Sequence, residues 1–87
     1  MANEKAVKMA ARLYECRDAA RIMFGDSYET RMRTQRDFVR AAMARHQVEA
    51  LPAAMLMIKA AGLTGISAIV LLAAAVDVTD GDGGDNE

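Results

Sequence analysis

The chain has few of the residues on which disulfide-bonded or β-rich domains depend. Its 87 residues include one cysteine and one proline, and aromatic residues make up 5% of the composition. The single cysteine, Cys16, cannot form an intramolecular disulfide, which excludes a disulfide scaffold of the secreted kind. Runs of β-branched residues are rare and no segment alternates between polar and apolar residues, so β-strands are not expected.

What the chain does have is helix-forming apolar residues. Hydrophobic residues make up 53% of the sequence, mostly Ala, Met, Leu, Val and Ile. Because several of these are strong helix formers, we predict an all-α protein, a helical hairpin or bundle completed by oligomerisation. The length suits one domain, which we place at residues 1–78. The predicted helices cover about residues 4–24, 27–50 and 53–76.

Glycine, proline and aspartate mark the boundaries of these helices. Gly25 is expected to end the first helix, since glycine is common just past a helix C-terminus. Pro52 predicts either a kink or a tight break, and the sequence leaves both open. Residues 79–87 are rich in Gly and Asp. We expect them to form a disordered acidic tail.

Residues 60–76 contain no charged side chain. A helix that is apolar on every side must be covered by other helices or by lipid. In the first hypothesis the cover comes from a homo-oligomer, with this helix at the centre of a shared bundle. Small residues four apart allow close helix contact, so the glycines here favour packing over a helix break. The predicted oligomer interface consists of Ala61, Gly65, Ala68, Ile69 and Leu72.

The second hypothesis is a single-pass membrane protein, a holin-like protein or small regulator of the inner membrane. All 11 basic residues precede residue 60, and acidic residues follow the apolar segment. This asymmetry fits a basic half that stays inside. However, residues 60–76 span roughly 26 Å as a helix, less than the roughly 30 Å of a bilayer core. Since the N-terminus also lacks a secretory signal, a cytoplasmic oligomer is the preferred interpretation.

Arg33, Arg36 and Arg40 are spaced to share one helix face. The default interpretation is a solvated face, because Glu29 and Asp37 are placed to pair with these arginines within the helix. If the face binds a partner, an acidic protein surface is preferred, since no aromatic residues interleave for binding nucleic acid. The next candidate site after this stripe comprises the arginines of the first helix, Arg12, Arg17 and Arg21.

No group of residues indicates catalysis. His46 and Cys16 are the only soft metal ligands, fewer than a structural or catalytic zinc site needs. We therefore predict no catalytic site, no metal site and no cofactor. The expected function is that of a non-enzymatic helical interaction protein with a protein partner. In type, such a chain resembles phage or mobile-element accessory proteins, many of which inhibit host or defence complexes, although no motif carries the resemblance.

Overall fold

Four α-helices make up most of the chain. The computed structural model describes the backbone of residues 4–85 and the side chains of residues 12–81, and no β-strand occurs within these limits. A 3₁₀ turn at Gly25–Ser27 joins the first two helices. The predicted all-α bundle is therefore confirmed. The helices are α1 (Glu4–Phe24), α2 (Tyr28–His46), α3 (Ala50–Ala61) and α4 (Gly65–Asp85).

The centre of the bundle is α4. It packs against α1, α2 and α3, and α2 also packs against α3. Three consecutive residues of α4, Ala73, Ala74 and Ala75, are buried. Because successive residues point about 100° apart around a helix, α4 is covered on all sides at this level. Most of residues 70–76 are thus covered by the other helices of the same chain, whereas most of residues 60–67 are exposed.

The predicted single helix over residues 53–76 is wrong, because two helices occupy this region. Gly62 ends α3 with a φ of +65°, and its N–H donates to the carbonyl oxygens of Ile58 and Lys59. Gly65 begins α4 with a φ of +59°. No side chain or other backbone lies within 4 Å of a Cβ built at either glycine. Within the chain, these glycines therefore break the helix, and no second helix packs closely against them.

The other boundaries differ less from expectation. Gly25 has a φ of +51° and follows the last residue of α1, as predicted. The second helix ends earlier than expected, at His46, where Gln47 adopts a left-handed conformation. Pro52 lies in the first turn of α3, where an N–H needs no partner within the helix. The chain thus breaks ahead of the proline and is not kinked by it.

The helix α4 also extends into the segment expected to be disordered. It continues through Asp85, so the predicted tail of residues 79–87 overlaps the helix. Thr79 donates a hydrogen bond from Oγ1 to the carbonyl oxygen of Ala75, 3.0 Å away. Asp80 contacts two side chains of α1, described below. Residues 86 and 87 lie outside the described residues.

Candidate functional site

A cleft of about 580 Å³ opens where α1 and α2 face the C-terminal half of α4. Arginines four apart on α1, and three and four apart on α2, share a face of their helix and point to it. We call this site the arginine cleft. Its lining comprises five arginines, three acidic residues and one glycine: Arg17, Arg21, Arg33, Arg36, Arg40, Glu29, Asp77, Asp80 and Gly81.

Asp77 is the most enclosed acid of the cleft, with 11% of its side chain exposed. Tyr28 donates its hydroxyl to Asp77 Oδ2 at 2.6 Å, and Arg36 Nη1 donates to the same oxygen at 3.1 Å. Arg17 Nη1 lies 3.6 Å from Asp77 Oδ1. A carboxylate in this position would be costly without partners, and two hydrogen-bond donors from α2 and one ion-pair partner from α1 supply them.

Asp80 extends the same network by one turn of α4. Arg17 Nη1 donates to Asp80 Oδ2 at 3.0 Å, and the Tyr14 hydroxyl donates to Asp80 Oδ1 at 3.2 Å. The guanidinium of Arg17 also lies over the Tyr14 ring, 4.9 Å from its centroid. Arg17 therefore joins α1 to α4 through both carboxylates. Its Nε is buried and has no hydrogen-bond partner among the described residues.

The charges of the network support one another. Burial lowers the pKa of Arg17 and of Arg36, but the carboxylates that pair with them outweigh this effect, and the pKa of each guanidinium is raised. Burial raises the pKa of the Tyr28 hydroxyl, and its hydrogen bond to Asp77 raises it further. Tyr28 therefore stays protonated and keeps donating to Asp77 at neutral pH.

The predicted stripe on α2 is not uniform. Arg33 and Arg40 are exposed, whereas the Arg36 side chain is only 16% exposed and is held by Asp77 and Glu29. The expectation that the whole stripe lies outside the packing of the bundle is therefore wrong at Arg36. Its pairing with Asp77 makes it part of the contact between α2 and α4.

The ion pairs within α2 also differ from those expected. Glu29 pairs with Arg36, two turns away, at 2.8 Å, and not with Arg33. Asp37 pairs with Arg40, as predicted, at 3.6 Å. Among the described residues, Arg33 makes no ion pair with either acid. The exposed arginine at the centre of the stripe is thus less neutralised than its sequence neighbours suggest.

The site contains residues that sequence reasoning did not select. Arg17 and Arg21 were only second candidates, and Arg12 of that group is exposed without lining the cleft. Asp77 and Tyr28 were not selected at all. The sequence does contain a sign that Asp77 is unusual. It is an acidic residue that directly follows a long apolar helical segment and is itself followed by another valine. Its partners lie 41 and 49 residues earlier, too far for any helical spacing to reveal.

The remaining predicted site residues are dispersed. Ala61 and Gly65 are exposed near the α3–α4 turn, and Ala68, Ile69 and Leu72 are half-buried on α4. The oligomer interface that they were expected to form stays a prediction. Cys16 is half-buried on α1, and burial followed by the nearby Glu15 charge raises the pKa of its thiol. No group of three metal-ligating side chains occurs in the part of the chain that is described.

Two further findings bear on function. Among the described helices, none combines the length and the apolar character that crossing a bilayer requires. Residues 60–76, the proposed span of the membrane hypothesis, are divided between α3 and α4. Comparison of the chain with protein-family models, curated proteins and solved structures finds no match.

Proposed function

We propose that the protein is a non-enzymatic helical module that binds an acidic protein partner through the arginine cleft. The observation that carries this proposal is the convergence of five arginines from two helices on one cleft, whose described lining has three acidic side chains. Arginine is suited to such a role because its planar fork pairs with carboxylates through two parallel hydrogen bonds. The expected role as a phage-like inhibitor remains a prediction about the partner's identity.

Two tyrosine rings next to the cleft argue against single-stranded nucleic acid as the partner. Arg17 lies over Tyr14 and Arg21 lies over Tyr28, with guanidinium-to-centroid distances of 4.9 and 5.5 Å. The two hydroxyls are bonded to Asp80 and Asp77. Binding of single-stranded nucleic acid draws on aromatic faces on which bases stack, and these two faces already carry guanidinium groups.

The proposal is tested by affinity capture with matched baits. The test bait is Arg33→Gln/Arg40→Gln, which removes two exposed arginines of the cleft. The control bait is Arg12→Gln/Arg45→Gln, which removes two exposed arginines outside it. Both variants lose the same charge, and none of the four arginines is a described partner of Asp77. Because Arg40 pairs with Asp37, the melting temperature of each bait is measured as a check on folding.

We expect proteins retained by the wild type and the control bait to be lost from the test bait, and to be enriched in Asp and Glu. Their retention should also weaken as salt rises, because exposed charges are screened over about 10 Å at 0.1 M salt. If the test bait and the control bait retain the same proteins, the arginine cleft is not the binding surface and the proposal is wrong.

A further inference from the structure

Four of the five arginines of the cleft fall into two pairs with different tasks. Arg17 and Arg36 have 16% of their side chains exposed, and both are committed to acidic side chains of the same chain. Arg21 and Arg33 are exposed and line the same cleft. Within the described residues neither of them pairs with an acid, and Arg21 instead lies over the Tyr28 ring. The first pair thus holds the helices together, and the second pair faces outward.

We infer that Arg21 and Arg33 form a binding site for two carboxylates of an acidic segment on the protein partner. This inference rests on the proposed function and specifies its ligand. The two arginines come from different helices, α1 and α2, so a ligand that engages both must enter the cleft. The described part of the lining holds five arginines and three acids, and Asp37 pairs with Arg40 from outside the lining. The carboxylates of a ligand can therefore pair with Arg21 and Arg33, which have no acid of their own among the described residues.

The three acids of the cleft set its preference among anions. Glu29, Asp77 and Asp80 lie in the same wall as the arginines. Their charges offset part of the arginines' field, so a compact dianion such as phosphate is held less tightly here than beside unpaired guanidinium groups. Singly charged, planar carboxylates spaced along a peptide meet less repulsion and match the guanidinium fork.

Asp77 acts in this site as a positioning residue. By binding Arg17 and Arg36, it keeps two of the five guanidinium groups from an incoming anion. Loss of its charge should therefore release positive charge into the cleft. Affinity for an acidic ligand should rise while the stability of the bundle falls, a combination that a purely structural role for Asp77 would not produce.

The probe for this inference is hexaglutamate, titrated into the full chain and followed by calorimetry. Arg21→Gln/Arg33→Gln is the test variant, and Arg12→Gln/Arg45→Gln is its charge-matched control. We expect the test variant to bind hexaglutamate at least tenfold more weakly than the control does. If both variants bind hexaglutamate equally weakly, or if the wild type does not bind it, Arg21 and Arg33 do not form the proposed carboxylate-binding site. The affinity-capture experiment is read out separately. If its wild-type and control baits retain a partner that the test bait loses, the proposed function stands even when hexaglutamate does not bind.

Two further arms test the preference and the role of Asp77. At equal ionic strength, inorganic phosphate or a single-stranded DNA hexamer should not displace hexaglutamate, and displacement by either would overturn the preference for carboxylates. Asp77→Asn should bind hexaglutamate several-fold more tightly and melt at a lower temperature than Asp26→Asn, which removes an exposed acid outside the cleft. Unchanged or weaker binding by Asp77→Asn would overturn the positioning role.

Discussion

At the scale of single residues, the molecule is distinguished by a charged side chain on its central helix. Asp77 lies between Val76 and Val78, both of which are buried. Removing one partner of this part-buried network leaves a charge uncompensated, at a cost below the ~3–5 kcal/mol that is typical of a fully buried ion pair. Tyr28 and Arg36 therefore both stabilise the contact between α2 and α4 and fix their relative register.

The Tyr28 hydroxyl makes this network sensitive to alkali. Its pKa in the folded protein is raised above the ordinary value of about 10, first by burial and then by Asp77. A group whose pKa is raised on folding contributes stability below its unfolded pKa. This contribution should be complete below about pH 10 and should be lost as the pH rises through the folded-state pKa.

The chain has two tyrosines, so Tyr14→Phe leaves Tyr28 as the only phenol. When the pH of this variant is raised, the absorbance at 295 nm should change with a midpoint pH above that of a free tyrosine amide. Helicity should be lost over the same pH range. Tyr28→Phe should be less stable at neutral pH and should lose less of its stability between neutral pH and pH 11. A midpoint equal to that of the free amide would show that Tyr28 is not bonded to Asp77 in solution.

At the scale of elements, the turn between α3 and α4 decides the topology. Ala61 and Gly65 were expected to lie on one face of a continuous helix, but the left-handed conformations of Gly62 and Gly65 separate two helices. The break lets α3 and α4 pack against each other. In a continuous helix these two apolar segments would lie end to end and could not pack against each other.

Alanine at the two turn glycines should destabilise the protein. The left-handed conformation is less favourable by roughly 1–2 kcal/mol for a residue with a Cβ than for glycine. No contact at either position offsets this cost. Gly62→Ala and Gly65→Ala should each lower the free energy of unfolding by about 1 kcal/mol, measured by urea denaturation followed by circular dichroism.

Gly81→Ala is the matched control for this prediction. Gly81 lies within α4, has no positive φ, and has open space at its Cβ position. Alanine there should stabilise the protein by about 0.5–1 kcal/mol, because glycine in a helix costs that much relative to alanine. Stabilisation by all three substitutions would instead indicate a continuous helix through residues 62–65, as the sequence alone suggested.

At the scale of the whole molecule, the fold provides much of the cover that an oligomer was expected to supply. The buried part of α4 is enclosed by α1, α2 and α3 of the same chain. Several large apolar side chains nevertheless remain exposed, among them Ile22 at 83% and Ile66 at 59%. The oligomer therefore stays a prediction, and three residues of its predicted interface, Ala68, Ile69 and Leu72, lie half-buried on α4.

Light scattering of the purified chain tests the oligomer directly. If Ala68, Ile69 and Leu72 lie in a subunit interface, Ile69→Asp should reduce the molar mass or unfold the protein, because it buries an unpaired charge. Ala44→Asp introduces the same charge at an exposed small residue of α2 and should leave mass and melting temperature unchanged. A wild-type chain that is monomeric at tens of micromolar would contradict the predicted interface.

The sequence by itself determined the helical class and the end of α1 at Gly25, because helix propensity acts along the chain. Only the tertiary structure decided that the chain's own helices enclose most of residues 70–76 while most of residues 60–67 stay exposed, and that Arg36 turns inward while Arg33 stays exposed. It alone joined Asp77 to Arg17, Tyr28 and Arg36. The physical reason is that ion pairing depends on distances through space, and the folding of α4 between α1 and α2 creates these distances.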